Sequence, residues 1–334
     1  MFPPPVIAEA DSAKEVGLGS RVDLRKTPLV TIDPVDARDH DDAVFAEPDT
    51  DLDNEGGWIV TDAIADVAHY VTPGSALDKE ARKRGNSVYF PDRVVPMLPE
   101  RISNELCSLK EGVDRPCLAV RMVLDKGGQN KGHRFFRGLM RSAASLSYEQ
   151  AQAAIDGRTD GTTDPLLDSV LRPLWGAYAS LSKARKARGP LELELPERKI
   201  LLDDKGRVRG IATPPRLDAH RLIEEFMIQA NVAAAEALET KRSPLIYRVH
   251  DAPSKEKLVA LGEFLATIDM KIAKAGTLRP SQFNRILADT KSSPNAELVA
   301  EVVLRSQSQA EYTPRNLGHF GLNLRRYAHF TSPI

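Results

Sequence analysis

Leu29-Val30-Thr31-Ile32-Asp33-Pro34-Val35-Asp36-Ala37-Arg38-Asp39-His40-Asp41-Asp42-Ala43 is the stretch on which the reading of this chain turns. The run Leu29 to Ile32 has the apolar, β-branched make-up of a buried strand. It leads straight into five aspartates within ten positions, Asp33, Asp36, Asp39, Asp41 and Asp42. Carboxylates crowded at the end of one strand repel, and each pKa is driven upward. A solvated acidic loop is the commonest fate of a charge run. A calcium loop is a second reading, but the Asp-x-Asp-x-Asp/Asn-Gly pattern with a distal Glu is absent, so an EF-hand is not expected. A third is a catalytic centre. Carboxylate oxygens suit Mg²⁺ or Mn²⁺, and two such ions roughly 4 Å apart can activate water and stabilise the leaving oxygen of a phosphodiester. Spacing alone leaves the solvated loop and the catalytic centre both open.

The surroundings of this stretch set the fold class. Trp58 to Val71 reads as buried strand around Ile59-Val60 and Ala63-Ile64-Ala65. Ser75 with Asp78 three residues on starts a helix over 75–84. Ser87 to Phe90 is a short strand stopped by Pro91, and 117–124 and 133–143 are strands joined by the Gly127-Gly128 turn. Beyond Ser147 the pattern becomes helical: 165–188, then 217–241 with Leu222, Phe226, Ala230 and Ala233 on one face, then 255–267, 281–288 and 296–306. A hairpin is expected over 200–211. The fold class is α+β, strand-rich first and helix-rich later. Residues 1–28, opening on three prolines, read as a linker.

Composition sets weaker bounds. At 334 residues the chain has ample length for a core. No apolar run approaches 18 residues, so no membrane-spanning helix is expected. The first residues lack the basic and apolar regions of a secretory signal. Cys107 and Cys117 have no His/Cys partner set, which points to packing thiols in a reducing cytoplasm rather than a zinc site. Net charge is −1, a mild argument against a nucleic-acid binder that a local basic funnel would remove.

The acidic run does not stand alone. Ile32-Asp33-x5-Asp39-x-Asp41-Asp42 resembles the signature of the ribonuclease II / ribonuclease R (RNB) family of exoribonucleases, with wording closer to ribonuclease R. Ser87-Val88-Tyr89-Phe90-Pro91-Asp92-Arg93-Val94-Val95-Pro96-Met97-Leu98-Pro99 and Ser103-Asn104-Glu105-Leu106-Cys107-Ser108-Leu109 are similar to its next block. Glu224-Glu225-Phe226-Met227-Ile228-Gln229-Ala230-Asn231 is similar to its long helix. His319-Phe320-Gly321-Leu322 and Thr331-Ser332-Pro333-Ile334 resemble its closing motifs. The blocks run in family order over nearly the whole chain.

The resemblance implies an RNB-type catalytic domain over 29–334, a mixed sheet surrounded by helices, incomplete at its C-terminus. The expected neighbours of that domain are cold-shock domains before residue 1 and an S1 domain after Ile334, where the family also continues with a phosphate-binding arginine. Asp33, Asp39, Asp41 and Asp42 would hold Mg²⁺, with Mn²⁺ as a substitute, and orient the attacking water. Asp36 falls between family positions. Tyr89 would flank the last nucleotide, Tyr148 would lie along the RNA track, and Glu224 would contact the terminal nucleotide, with Glu225 the fallback if the register slips. The aromatic clamp expected over 191–195 is missing, since Leu191-Glu192-Leu193-Glu194-Leu195 has no aromatic residue. Arg82-Lys83-Arg84 and the run 183–188 read as channel mouth or as solvated helix faces. His40 reads as a spacer, and His69 and His250 as structural histidines.

Three functions follow from this inventory: a Mg²⁺-dependent hydrolytic 3′-to-5′ exoribonuclease acting on single-stranded RNA, a catalytically weak or inactive RNA-binding fragment of such an enzyme, and a metal-dependent enzyme of DNA or small phosphoesters.

Overall fold

The structure is a computed structural model that describes residues 1–193, 195–270 and 278–334. The elements in chain order are α1 (Pro4–Ser12), β1 (Val22–Leu24), β2 (Val30–Asp33), β3 (Asp42–Pro48), β4 (Trp58–Ala65), α2 (Val67–Tyr70), α3 (Ala76–Arg84), β5 (Val88–Tyr89), β6 (Val94–Val95), β7 (Asp114–Leu124), β8 (Asn130–Arg141), β9 (Ala144–Ser147), α4 (Tyr148–Ile155), α5 (Arg172–Arg188), β10 (Lys199–Leu202), β11 (Val208–Ala212), α6 (Asp218–Thr240), β12 (Tyr247–His250), α7 (Lys255–Ala266), α8 (Pro280–Thr290), α9 (Ala296–Ser306) and β13 (Ala310–Thr313). The chain divides into two compact units, one of 1–182, 198–230 and 330–334, the other of 183–197 and 231–329.

The first unit is built on a seven-stranded sheet of order β1-β8-β7-β4-β3-β2-β9. β3, β4, β7 and β8 are antiparallel neighbours, whereas β1 joins β8 and β2 joins β9 in parallel. β4 has six consecutive buried residues, as a central strand covered on both faces requires. One face carries Ala43, Ala63, Ala119 and Met140 against Val6, Ala10, Leu77 and Leu106. Residues 1–28, expected as a linker, are therefore packed. The short polar run is helix α1, whose Val6 and Ala10 are buried, and β1 pairs with β8. Gly128 turns β7 into β8 at φ +79°, and a Cβ there would meet Ser180 O at 2.2 Å, so the turn admits no side chain.

Helix ends follow local chemistry. Ser75 Oγ accepts from Asp78 N at 3.2 Å and starts α3. Ser147 and Gln150 form a reciprocal capping box that starts α4 directly at the end of β9. His69, expected as a structural histidine, is instead exposed on the one-turn helix α2, because Val67 takes the inward position of that turn.

The second unit is mainly helical. Leu261, Leu265, Phe283, Ile286, Val299 and Val303 from α7, α8 and α9 form its core. Leu191 and Leu193 pack against that core. β12 and β13 make a two-stranded ladder. His250 is held at both ring nitrogens: Gly321 N–H donates to Nδ1 at 2.9 Å, and Nε2 lies 2.9 Å from Ser308 O. No helix among the described residues is long and apolar enough to cross a membrane.

Candidate active site

Strand β2 ends at Asp33 and β3 begins at Asp42, so the acidic loop bridges two strands of one sheet. Its far end is held by neighbouring backbone. Leu109 N donates to His40 O at 3.0 Å, Ser108 Oγ accepts from His40 N at 3.0 Å, and Ala65 N donates to Asp41 O at 2.8 Å. The block Ser103 to Leu109 thus acts as a brace for the aspartates. His40, read from the sequence as a spacer, is more than that: its Nδ1 lies 2.7 Å from Asp33 Oδ2. The backbone grip on His40 turns its ring back toward the start of the loop. Asp36 is exposed and pairs with Lys199 at 2.9 Å, away from the cluster chemistry.

The other four aspartates share one electrostatic environment. Burial, then the charges of Asp39 and Asp33, push the Asp41 carboxyl up to about 7, although a backbone hydrogen bond from Ile334 pulls the other way. That bond, Ile334 N to Asp41 Oδ1 at 2.9 Å, joins the last residue of the chain to the loop across 293 positions. Burial drives Asp42 well above the ordinary carboxylate range, with Asp33, Asp41 and Asp62 adding repulsion. Among the described residues no group of three or more His, Cys, Asp or Glu side chains is arranged so as to hold a metal ion by itself. The four carboxylates are an array of hard oxygen donors under mutual repulsion, with His40 hydrogen-bonded to Asp33 and the Ile334 N–H to Asp41. A divalent cation that keeps part of its water shell fits such an array, because it supplies positive charge and does not need every position filled by protein.

Tyr89 sits on the small β5–β6 hairpin and is 66% exposed, free to meet a ligand. Partial burial and the charges of Asp39 and Asp41 raise its phenol pKa, which sets the ring beside the acids. Tyr148 is the first residue of α4, and Ser147 before it is the register partner of Asp33. Its phenol pKa is also raised, by burial first and then by Asp42, Asp33 and Glu149. Glu224, on α6, is ion-paired to Arg216 and partly exposed. Glu225 is buried at 1% exposure, so Glu224 is the accessible glutamate of the two.

One acid escaped the sequence reading. Asp62, in the middle of β4, is fully buried, and neither carboxylate oxygen has a hydrogen-bond partner. Burial lifts its pKa to about 8. Nothing in Ile59-Val60-Thr61-Asp62-Ala63 separates it from a surface-facing strand acid; it is buried because β4 is a central strand covered on both faces.

The RNB domain family matches residues 21–334. Ribonuclease R of Escherichia coli (strain K12) is 42% identical over 326 residues, 97% of this chain and 40% of that protein. Ribonuclease R of Aquifex aeolicus (strain VF5) is 40% identical over 344 residues, 100% of this chain and 47% of that protein. The structure of Mycoplasma genitalium RNase R in complex with ribose methylated single-stranded RNA superposes with a TM-score of 0.93 at 30% identity, covering 100% of this chain and 52% of that one. The chain therefore spans between two-fifths and about half of the length of these relatives. With its sheet, acidic loop and closing motif all inside the matched region, the chain belongs to the RNB domain family.

Proposed function

We propose that this chain is a hydrolytic 3′-to-5′ exoribonuclease domain that degrades single-stranded RNA to nucleoside 5′-monophosphates with Mg²⁺, Mn²⁺ serving as a substitute, in the cytoplasm. The observation that carries the reading is the group of four mutually repelling carboxyls, Asp33, Asp39, Asp41 and Asp42, none of which is ion-paired to a lysine or arginine among the described residues. Such a group is stable as a charged set only when cations from solution join it. When bound, divalent ions would supply the charge that activates water and offsets the leaving phosphate oxygen. Asp33, Asp39, Asp41 and Asp42 would hold them. His40 would keep Asp33 oriented through its 2.7 Å contact. Ile334 N–H fixes the rotamer of Asp41, leaving its second oxygen for a ligand.

The RNA would be gripped by its backbone and by stacking, which tolerates any sequence. Tyr89 would pack on the last nucleotide, Tyr148 would line the track, and Glu224, its carboxylate steadied by Arg216, would take the terminal ribose or base. The relative from Mycoplasma genitalium is described with single-stranded RNA, which supports this choice of substrate over DNA or small phosphoesters.

The test is stepwise shortening of a 5′-labelled single-stranded RNA with Mg²⁺, comparing the chain with Asp41→Asn and Asp42→Asn. Loss of at least about 10²-fold in rate is expected for each variant. Undiminished activity in both would sink the site. Tight RNA binding by the unaltered chain without mononucleotide release, even with Mn²⁺, would favour the non-catalytic reading instead.

A further inference from the structure

The stretch expected to supply an aromatic clamp does not supply one. It has no aromatic residue, and Leu191 and Leu193 are packed on the helical core of their unit. Glu194 lies outside the described residues. A pair of flat rings exists elsewhere, beside the acids. Tyr148 and His220 are stacked with ring centroids 4.0 Å apart and planes inclined by 17°.

Both rings are locked by their own elements. Tyr148 follows the capping box of α4, one residue after the partner of Asp33. His220 accepts the Leu217 N–H at Nδ1 over 3.1 Å, which leaves the ring proton of the neutral form on Nε2. Ala219 N donates to Gln152 Oε1 at 3.1 Å, so the first turn of α6 is tied to α4 at the level of the pair. Glu224 lies one turn after His220 on α6, and Arg216, in the segment before the helix, is ion-paired to Glu224. Both residues are half-buried, unlike a pair whose only task is to fill a core. A rigid, partly exposed π surface next to a glutamate and an arginine is the chemistry that accepts a nucleobase.

Resting on the exoribonuclease reading, we infer that Tyr148 and His220 together form a stacking platform for one base near the 3′ end of single-stranded RNA, with Glu224 and Arg216 flanking it. His220 is the new element. Its ring covers one face of the Tyr148 phenol, so the base would stack on the outer face of His220.

The experiment uses single-stranded RNAs carrying 2-aminopurine at successive positions from the 3′ end, bound in EDTA so that no hydrolysis occurs. Stacking quenches this fluorophore. With the unaltered chain, quenching should peak at one position. His220→Ala should abolish most of that quenching and weaken binding by about 10-fold, while His220→Phe should keep both. Thermal melting of each variant separates a platform from a brace between α4 and α6. The inference is overturned if His220→Ala binds RNA and quenches every position as the unaltered chain does, or if Phe fails to rescue a variant that melts normally. Absence of RNA binding by the unaltered chain would overturn the exoribonuclease reading as well.

Discussion

Asp66, just past the end of β4, and the acidic loop between β2 and β3 belong to one unit, and their negative charge is handled in opposite ways. Asp66 is 2% exposed and is met by Arg21 at 2.8 Å and Arg137 at 3.6 Å. Arg21 belongs to the segment before β1 and Arg137 to β8, so the ion pairs join the edge of the sheet to its centre. In the loop, Asp41 and Asp42 are raised by burial and by other acids, and a single histidine bonds Asp33. Asp62 shows a third solution: with no partner at either oxygen, it keeps its proton up to about 8. A buried carboxyl can be compensated by a fixed cation, by a proton, or by a cation taken from solution. The chain places arginines where an acid holds strands together and none against Asp41 and Asp42, as the proposed cation site would require.

That contrast can be broken at several points. The largest effect is expected in the loop. Asp41→Asn or Asp42→Asn should lower the rate of RNA hydrolysis by about 10³-fold with melting temperature unchanged or raised, since repulsion is relieved. A variant that loses activity only by unfolding would refute the contrast. Next, Arg21→Ala should cost about 3 kcal/mol in urea unfolding, because it strips a buried acid of its nearest cation, while activity per folded molecule is retained. Third, Mg²⁺ at one hundred times its Kd should stabilise the unaltered chain by about 2.7 kcal/mol and the Asp41→Asn, Asp42→Asn double variant by much less. Equal shifts would place the ion elsewhere.

The smallest effect concerns Asp62. Asp62→Val, close in volume, should raise stability by about 2 kcal/mol at low pH, since it removes a buried polar group without hydrogen bonds. The pH dependence has a definite sign. The unfolded carboxyl loses its proton near 3.8 and the folded one near 8. Unfolding between those values releases a proton, so raising the pH favours the unfolded state. The stability gap between Asp62→Val and the unaltered chain should be smallest below pH 4, widen from pH 4 to 8, and level off above. A gap that narrows with rising pH would show that Asp62 is ionised and satisfied in the folded chain.

Much of the architecture could be read before any coordinates. The helices expected over 75–84 and 296–306 are observed as Ala76–Arg84 and Ala296–Ser306. Each is written in local terms, by a cap or by apolar spacing. The errors have a common origin in burial. β3 was not separated from the loop because it opens on Asp42, a residue that belongs to both. β7 begins at Asp114 rather than Cys117 because Asp114, Arg115 and Pro116 pair with Arg141, Met140 and Leu139 of β8, a register that polarity does not reveal. Residues 1–28 have linker-like composition, yet Val6 and Ala10 are enough to seat α1 on the sheet core.

The α+β class, the order of strands and helices, and the existence of a crowded acidic loop were determined by the sequence alone, because periodicity, caps and charge density act over a few residues. The family resemblance carried in its motifs comes from the same local words. Tertiary structure alone decided that Ile334 meets Asp41, that Ser108 and Leu109 brace His40, that Tyr148 stacks on His220, and that Asp62 is sealed without a partner. Each of these depends on which distant segments exclude water from one another, and burial, unlike helical or strand spacing, is set by the whole fold.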